Sequence, residues 1–423
     1  MSKNNNFLKL ESTNAWLAQF NTNEQPILVK MLQAMSLVSR DEFTERLRSL
    51  IIDRMAKGRG PVGLYAEREL RTRNEIPNRL FRESSGKVKR AEGAGPRAVD
   101  PILPWEQDIG SEGIVAQLIS EICRSHNSLA ISHPGPNLIR QLGVRRFMLV
   151  TDFIGSGRRA SEYLTAAWRV RSVRSWWSSR SNKGMSFEVV SYAATPSGRS
   201  VVESVPCKAG IHVVTACPTI NLSFDYDTRC KLKKICVERD PVDHDPVESL
   251  GFKGSGALIA FAHGAPNNVP RLLVKRGRDY VPLFPQRITA QSRGQFTSKV
   301  EDAEQIQEAL KKLRQTKIAA SPLVAELGVH ARQVILVMAA LSCSPRDSET
   351  ISLRTGLTVM EVERSIAVAN SEDWIDGRRR LTDRGHAELA NARKRTKVVE
   401  AVPIQTEDDY YPRSLRAPEE TSS

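Results

Sequence analysis

The sequence predicts an α/β protein with a mainly parallel sheet, an N-terminal helical segment and a C-terminal winged helix-turn-helix domain. Three observations carry that prediction. From Pro61 onward, short apolar runs recur between helical stretches, the alternation expected when helices cover the faces of a parallel sheet. One run, 147–150, leads through Thr151-Asp152 into Gly155-Ser156-Gly157 and an Arg-rich helix start at Arg158-Arg159. The C-terminal part reads helix, helix, turn, helix and hairpin, the order of a winged helix.

The elements follow in chain order. Residues 14–57 place Trp16, Leu17, Phe20, Leu28, Met31, Leu32, Leu47, Leu50 and Ile51 at helical spacing, which predicts a helical segment over 1–60. Apolar runs at 62–65, 129–131, 147–150, 187–192, 211–216 and 257–261 predict the strands of a domain spanning 61–290. The stretch 83–100 is Gly-rich and charged and reads as a mobile loop, either a passive insertion or a lid bringing Lys87, Lys89 and Arg90 to an anion. A mixed-charge helix over 298–318 is expected to be exposed, within a linker spanning 291–330. The winged domain, 331–396, contains helices at 331–341, 348–355 and 359–370, a turn at 356–358 and a hairpin running from Trp374 into Arg378-Arg379-Arg380. Residues 397–423 are polar and read as a disordered tail.

Composition limits the function classes. At 423 residues the chain exceeds one core. It has no apolar run of bilayer length, and its MSKNNN start lacks a signal-peptide core, so a cytoplasmic protein without membrane contact is expected. Six cysteines form no CxxC pair, which fits reduced thiols and no protein metal site. Net charge is +14, which favours polyanionic partners. Positive charge concentrates at 168–180, 377–384 and 393–397.

The junction at 147–159 has the chemistry of an anion site. A strand delivering a small-residue loop to a helix N-terminus presents N–H groups without intrahelical partners, and the helix dipole adds to their pull on a phosphate. Glycines at such junctions also serve tight geometry alone. Asp152, at the strand's carboxyl end, would face the crevice where open α/β sheets bind ligands. The segment resembles the phosphoribosyl-pyrophosphate motif of type I phosphoribosyltransferases, whose fold the domain is then expected to share. In that motif two acidic residues hold ribose hydroxyls and the small-residue loop holds the 5′-phosphate. Here the first acidic position is Thr151, which can hydrogen-bond a hydroxyl but cannot hold a cation as a carboxylate does.

The resemblance extends over much of 14–288. It includes Trp16-Leu17, the strand at 61–65 followed by Ala66-Glu67-Arg68, Gly110-Ser111-Glu112-Gly113, Ile131-Ser132-His133-Pro134, the loop 152–157 and Gly251-Phe252 with Ser255-Gly256. Its late pieces are His263 with Pro266-Asn267-Asn268, and Leu283-Phe284-Pro285 with Arg287. Together these resemble a phosphoribosyltransferase-like effector family of bacterial conflict systems, of the retron-associated type with a C-terminal winged helix. The resemblance implies antiphage defence, a toxic activity restrained until infection, and a complex with a reverse transcriptase and its multicopy RNA–DNA product. It also implies a ligand that is phosphoribosyl pyrophosphate or a nucleotide, with transfer or cleavage at ribosyl C1. Asp152 would fix ribose hydroxyls, Gly155, Ser156 and Gly157 would hold the 5′-phosphate, and Mg²⁺ would bridge ligand oxygens. Arg68, and Arg71 beyond it, would meet pyrophosphate, and Arg158 and Arg159 would add grip on a polyphosphate. Thr151 leaves catalysis and binding alone both open. Asn267, Asn268 and His263 would either orient a base or ribose or form a hydrogen-bonded turn.

Two regions could contact nucleic acid. Trp168, Trp176 and Trp177 interleave with Arg169, Arg171, Arg174 and Arg180, which suits either base stacking beside phosphate contacts or a helix with its tryptophans in the core. The wing offers Arg378, Arg379, Arg380 and Arg384, whereas the recognition helix carries Glu361 and Glu363 with only Arg364 as a base. Contact through the wing to the phosphate backbone is therefore expected, with a protein-interaction fold as the other reading. The alternative function is a non-enzymatic, ligand-sensing winged-helix DNA-binding regulator. The number of copies in the functional particle is open, an oligomer included.

Overall fold

A computed structural model describes residues 7–74, 76–97, 111–182, 184–285 and 302–393. Gly110, Arg287, the expected tail and 291–301 of the expected linker lie outside them. Five strands form the central sheet: β2 (Val62–Ala66), β7 (Ala130–Ser132), β8 (Arg146–Ile154), β9 (Ser186–Ala194) and β10 (Gly210–Ala216). Their spatial order is β10-β9-β8-β2-β7, and every pairing is parallel. Near-continuous apolar runs in β8 and β9 suit strands covered on both faces. Side-chain alternation sends Leu64, Met148, Val150 and Val190 into one core and Tyr65, Phe147, Leu149 and Val189 into the other. Ranked by chain position, the five strands lie in the order 2-1-3-4-5, which reverses between β2 and β8. Ligands of such sheets bind outside the carboxyl ends at the reversal.

One expected strand lies elsewhere. Residues 257–261 do not enter the central sheet; β11 (Ile259–Phe261) pairs in parallel with β1 (Ser36–Val38), inside the segment expected to be wholly helical. Three residues are too short a run to interrupt a helical periodicity visibly. The helices Glu11–Leu17, Gln25–Gln33 and Arg40–Lys57 share a core with Leu258, Leu272 and Phe284, and Trp16 Nε1 donates to Tyr280 Oη at 2.8 Å. The division expected at residue 60 therefore separates no core.

Two further expectations change. Between 83 and 97 the chain is docked: β5 (Arg82–Glu83) pairs with β6 (Ala91–Glu92), following the short pair β3 (Thr72–Arg73) and β4 (Ile76–Pro77). Buried Ala91 donates its N–H to Ser172 Oγ at 2.8 Å, and its carbonyl accepts from Arg140 at 2.7 Å. The helix Asp302–Lys312 buries Ile306, Ala309 and Leu310 in the C-terminal core. It belongs to that domain rather than to an exposed linker, because this narrow stripe was diluted by charge in the sequence.

The C-terminal domain has the predicted order, with helices Val329–Leu341, Ser348–Thr355, Val359–Ser371 and Asp383–Ala392 and an antiparallel bridge between Ile375 and Leu381. A capping box between Thr358 and Glu361 starts the helix Val359–Ser371. This domain covers the β10 edge. Ser352 Oγ lies 3.2 Å from Thr215 Oγ1, Glu349 pairs with Arg199, and Val359 and Met360 pack against the two cores of the sheet domain. Covering an edge strand removes a template for unwanted pairing. No helix among the described residues is long and apolar enough to cross a membrane.

Candidate functional site

The strands on either side of the reversal each deliver a carboxylate to the same place. β2 ends at Ala66, and the Glu67 N–H continues the ladder by donating to the Val150 carbonyl at 2.8 Å. This draws the Glu67 side chain inward, leaving the residue 6% exposed. On β8, Asp152 Oδ1 accepts from the Phe153 N–H at 2.8 Å and from Thr151 Oγ1 at 3.3 Å. Its other oxygen lies 3.6 Å from His263 Nε2, an ion-pair distance beyond hydrogen-bond length. The His263 ring stacks on Phe261 at 5.0 Å and meets the Phe43 ring at 4.9 Å. Arg159, from the helix Arg158–Trp168, reaches Glu67 Oε1 with Nε at 3.3 Å and Glu112 Oε1 with a terminal nitrogen at 2.8 Å.

The two carboxyls are tuned apart. Burial is the largest influence on Glu67 and, with Asp152 and Glu112 adding to it against Arg159 and Thr151, pushes it up to about 7. Burial also opposes ionisation of Asp152, but the neighbouring His263, then Ser111 and Arg159, outweigh it and hold Asp152 below the usual carboxylate range. Glu112 is raised, first by burial. Eight buried side-chain polar atoms lack a hydrogen-bond partner among the described residues. Five cluster here: Glu67 Oε1, Arg68 Nε, Tyr163 Oη and both ring nitrogens of His263. Buried polar groups are ordinarily satisfied, so this concentration sets the carboxyl end of the sheet apart from the rest of the described core.

A cleft of about 520 Å³ opens over these groups, a volume suited to a small ligand. Asp152, Glu67, His263 and Asn267 line it, together with the loop 155–157 and the start of the next helix. Gly157 caps that helix with φ +71°, and a Cβ there would lie 2.3 Å from the Gly198 carbonyl. A Cβ on Gly155 would lie 1.9 Å from Asn268 Oδ1. Both glycines are thus required by packing, whatever the loop binds.

Of the other expected site residues, Ser156, Arg158 and Asn268 also line the cleft, whereas Thr151 and Arg68 do not. Ser156 Oγ accepts from the Arg158 N–H at 3.3 Å, and the Arg158 side chain pairs with Glu162 at 2.8 Å. Thr151 is buried beneath the cleft and does not line it. Asn268 is buried, donating to Ser255 Oγ at 3.1 Å while packing on Gly155; it braces the loop. Arg68 also does not line the cleft. It acts electrostatically on Tyr163 and on His133, which burial and then Arg68 push down to about 4. Among the described residues, no group of three His, Cys, Asp or Glu side chains converges to hold a metal. Glu67 carried a signal that went unread, an apolar strand ending in a carboxylate as at Asp152. His263 carried none, because its neighbour Asp152 is distant in sequence.

The nucleic-acid candidates also divide. Trp168, Trp176 and Trp177 pack on the sheet's second core, and Trp177 Nε1 donates to the Cys207 carbonyl at 2.6 Å. Arg174 is exposed beside them. In the wing, the Asp376 carboxylate accepts from the Arg378 and Arg380 N–H groups, each at 2.8 Å. Those two side chains are exposed. Arg379 instead folds back, donating to Ser348 Oγ at 2.8 Å and lying 3.4 Å from Glu363. Arg384 makes an exposed pair with Asp373 at 3.4 Å.

A family model described as PRTase-CE matches residues 13–286, and one described as wHTH-PRTase associated matches 335–417. No curated protein and no solved structure matches the chain.

Proposed function

The chain belongs to the PRTase-CE family, and from that premise we propose that it is a cytoplasmic antiphage defence effector of the retron type. Its phosphoribosyltransferase-like site takes the 5′-phosphoribosyl group of phosphoribosyl pyrophosphate or a nucleotide. Its winged domain and basic surface join it to a reverse transcriptase and an RNA–DNA product. The observation that supports the ligand site best is the meeting of Asp152, the 155–157 loop and a cluster of unsatisfied polar atoms at the sheet's reversal. In this reading the first turn of the helix Arg158–Trp168 holds the 5′-phosphate, the free side of Asp152 accepts ribose hydroxyls, and Asn267 stands at the rim. Mg²⁺ would bridge the ligand's own oxygens in this reading. Arg378 and Arg380 supply phosphate contacts at the wing.

The second reading, a non-enzymatic DNA-binding regulator, is disfavoured by one observation. The first turn of the presumed recognition helix, with Val359 and Met360, packs on the sheet domain, although helix-turn-helix proteins read bases with that turn.

The test is a mass-spectrometric assay of nucleic-acid-free protein with Mg²⁺, phosphoribosyl pyrophosphate, nicotinamide dinucleotide and nucleotides, beside an Asp152→Ala control. Conversion that disappears in the control is expected. Ligand binding without conversion, repeated with the copurified RNA–DNA species present, would replace the enzyme by a sensor.

A further inference from the structure

We propose that this cleft hydrolyses the N-glycosidic bond of a nucleoside 5′-monophosphate, with Glu67 giving the proton to the leaving base and Asp152 facing the ribosyl cation. The inference rests on the preceding assignment of a 5′-phosphoribosyl site and names its substrate class and its acid.

The leaving group decides between the two ligand classes named above. A diphosphate departs as an anion and needs cations around it; a nucleobase departs from C1′ only as readily as its nitrogen is protonated. Among the described residues lining the cleft, the cationic side chains are Arg158 and Arg159, against Glu67, Glu69, Asp152 and Glu162. Both arginines are engaged, Arg158 with Glu162 and Arg159 with Glu67 and Glu112. Arg68 lies off the cleft. One phosphate at the helix start is as much negative charge as this site is built to accept.

It does hold a proton donor. Glu67 and Asp152 close the ends of adjacent strands, and both line the cleft. Glu67 Oε1 is buried and forms no hydrogen bond, its nearest charged neighbour being Arg159 Nε at 3.3 Å. The groups that act on Glu67 from the packed elements are Arg159, Asp152, Thr151 and Glu112, and Glu67 in turn acts on Tyr163. Their balance raises Glu67 to about 7, which leaves it a proton to give near neutral pH, while His263, Ser111 and Arg159 favour the ionised form of Asp152. Adjacent carboxyls pushed in opposite directions divide the acid and anion roles of glycoside cleavage.

In the step, the C1′–N bond breaks and its electron pair goes to the base nitrogen, which takes the Glu67 proton. Water adds to C1′ and loses a proton to the Asp152–His263 pair, and solvent exchange returns one proton to Glu67. The sum is nucleotide plus water giving free base plus ribose 5-phosphate.

The full chain is incubated with each ribo- and deoxyribonucleoside 5′-monophosphate and, separately, with phosphoribosyl pyrophosphate, while calorimetry reads ribose 5-phosphate binding. Expected is base release whose kcat/KM falls above about pH 7 as Glu67 ionises. Glu67→Gln lowers that release by about 100-fold or more and preserves ribose 5-phosphate binding. The same variant still hydrolyses 4-nitrophenyl ribofuranoside 5-phosphate, whose leaving group departs unprotonated. Ribose 5-phosphate binding with no base release, turnover of phosphoribosyl pyrophosphate alone, or release indifferent to Glu67→Gln overturns the inference and leaves the phosphoribosyl site standing. Absence of ribose 5-phosphate binding removes that site and this inference together.

Discussion

Strands β8 and β9 lie beside buried charge at both ends of the sheet, and the two ends are built differently. At the amino end, Arg146 Nε donates to Glu188 Oε1 at 2.8 Å, and its terminal nitrogens donate to the Met55 and Arg54 carbonyls at 3.2 and 2.6 Å. Arg54 Nε reaches the other Glu188 oxygen at 3.2 Å, with His212 Nε2 3.5 Å from that oxygen. Burial opposes the Glu188 charge, but Arg146, Arg54 and His212 hold it below the usual range. At the carboxyl end, Glu67, Arg68, Tyr163 and His263 keep polar atoms unsatisfied, and Glu67 is raised. A closed network ties helix Arg40–Lys57 to the sheet; the open one costs stability, as the proposed ligand site would.

The largest test of that contrast is Arg146→Met. It leaves Glu188 buried with only Arg54 and His212 beside it, and a loss of about 3–5 kcal/mol is expected from urea midpoints. A loss below about 1 kcal/mol would make the amino-end network dispensable and break the comparison.

Glu67→Gln should act in the opposite direction. Burial pushes the folded carboxyl up to about 7 from an ordinary 4.5, so the wild type has this group's stabilisation in full below pH 4.5 and loses it as pH rises through 7. The variant is expected to gain up to about 3 kcal/mol over wild type at pH 8 and little at pH 4. The same gain at both pH values would show that ionisation of Glu67 carries no penalty in the fold.

The wing repeats the contrast on a smaller scale. Arg378→Ala or Arg380→Ala should each flatten the log–log salt dependence of nucleic-acid binding by about one unit. Arg379→Ala should leave that slope alone and cost about 1 kcal/mol through its lost bond to Ser348. Equal slopes for all three would erase the distinction between engaged and free arginines.

Much of the framework was legible because parallel strands buried on both faces appear as apolar runs, and each of the five runs at 62–65, 129–131, 147–150, 187–192 and 211–216 contributes to the sheet. The pairing of Ser36–Val38 with Ile259–Phe261 was not, since it joins segments far apart in the chain. At the site, Asp152 and the 155–157 loop stood out because one strand-turn-helix junction carries them. Glu67 and His263 did not, because their meaning depends on what packs beside them.

By itself, then, the sequence determined the α/β class, the phosphate-type junction and the order of the C-terminal helices, all of which follow from local periodicity, turn chemistry and charge along one segment. Tertiary structure alone decided which end of the sheet holds satisfied charge and which holds unsatisfied charge. It also decided that burial pushes Glu67 up while its neighbours hold Asp152 down, and that the winged domain covers β10. These properties arise from desolvation and from partners brought together across the fold, and neither is a function of a residue's neighbours in sequence.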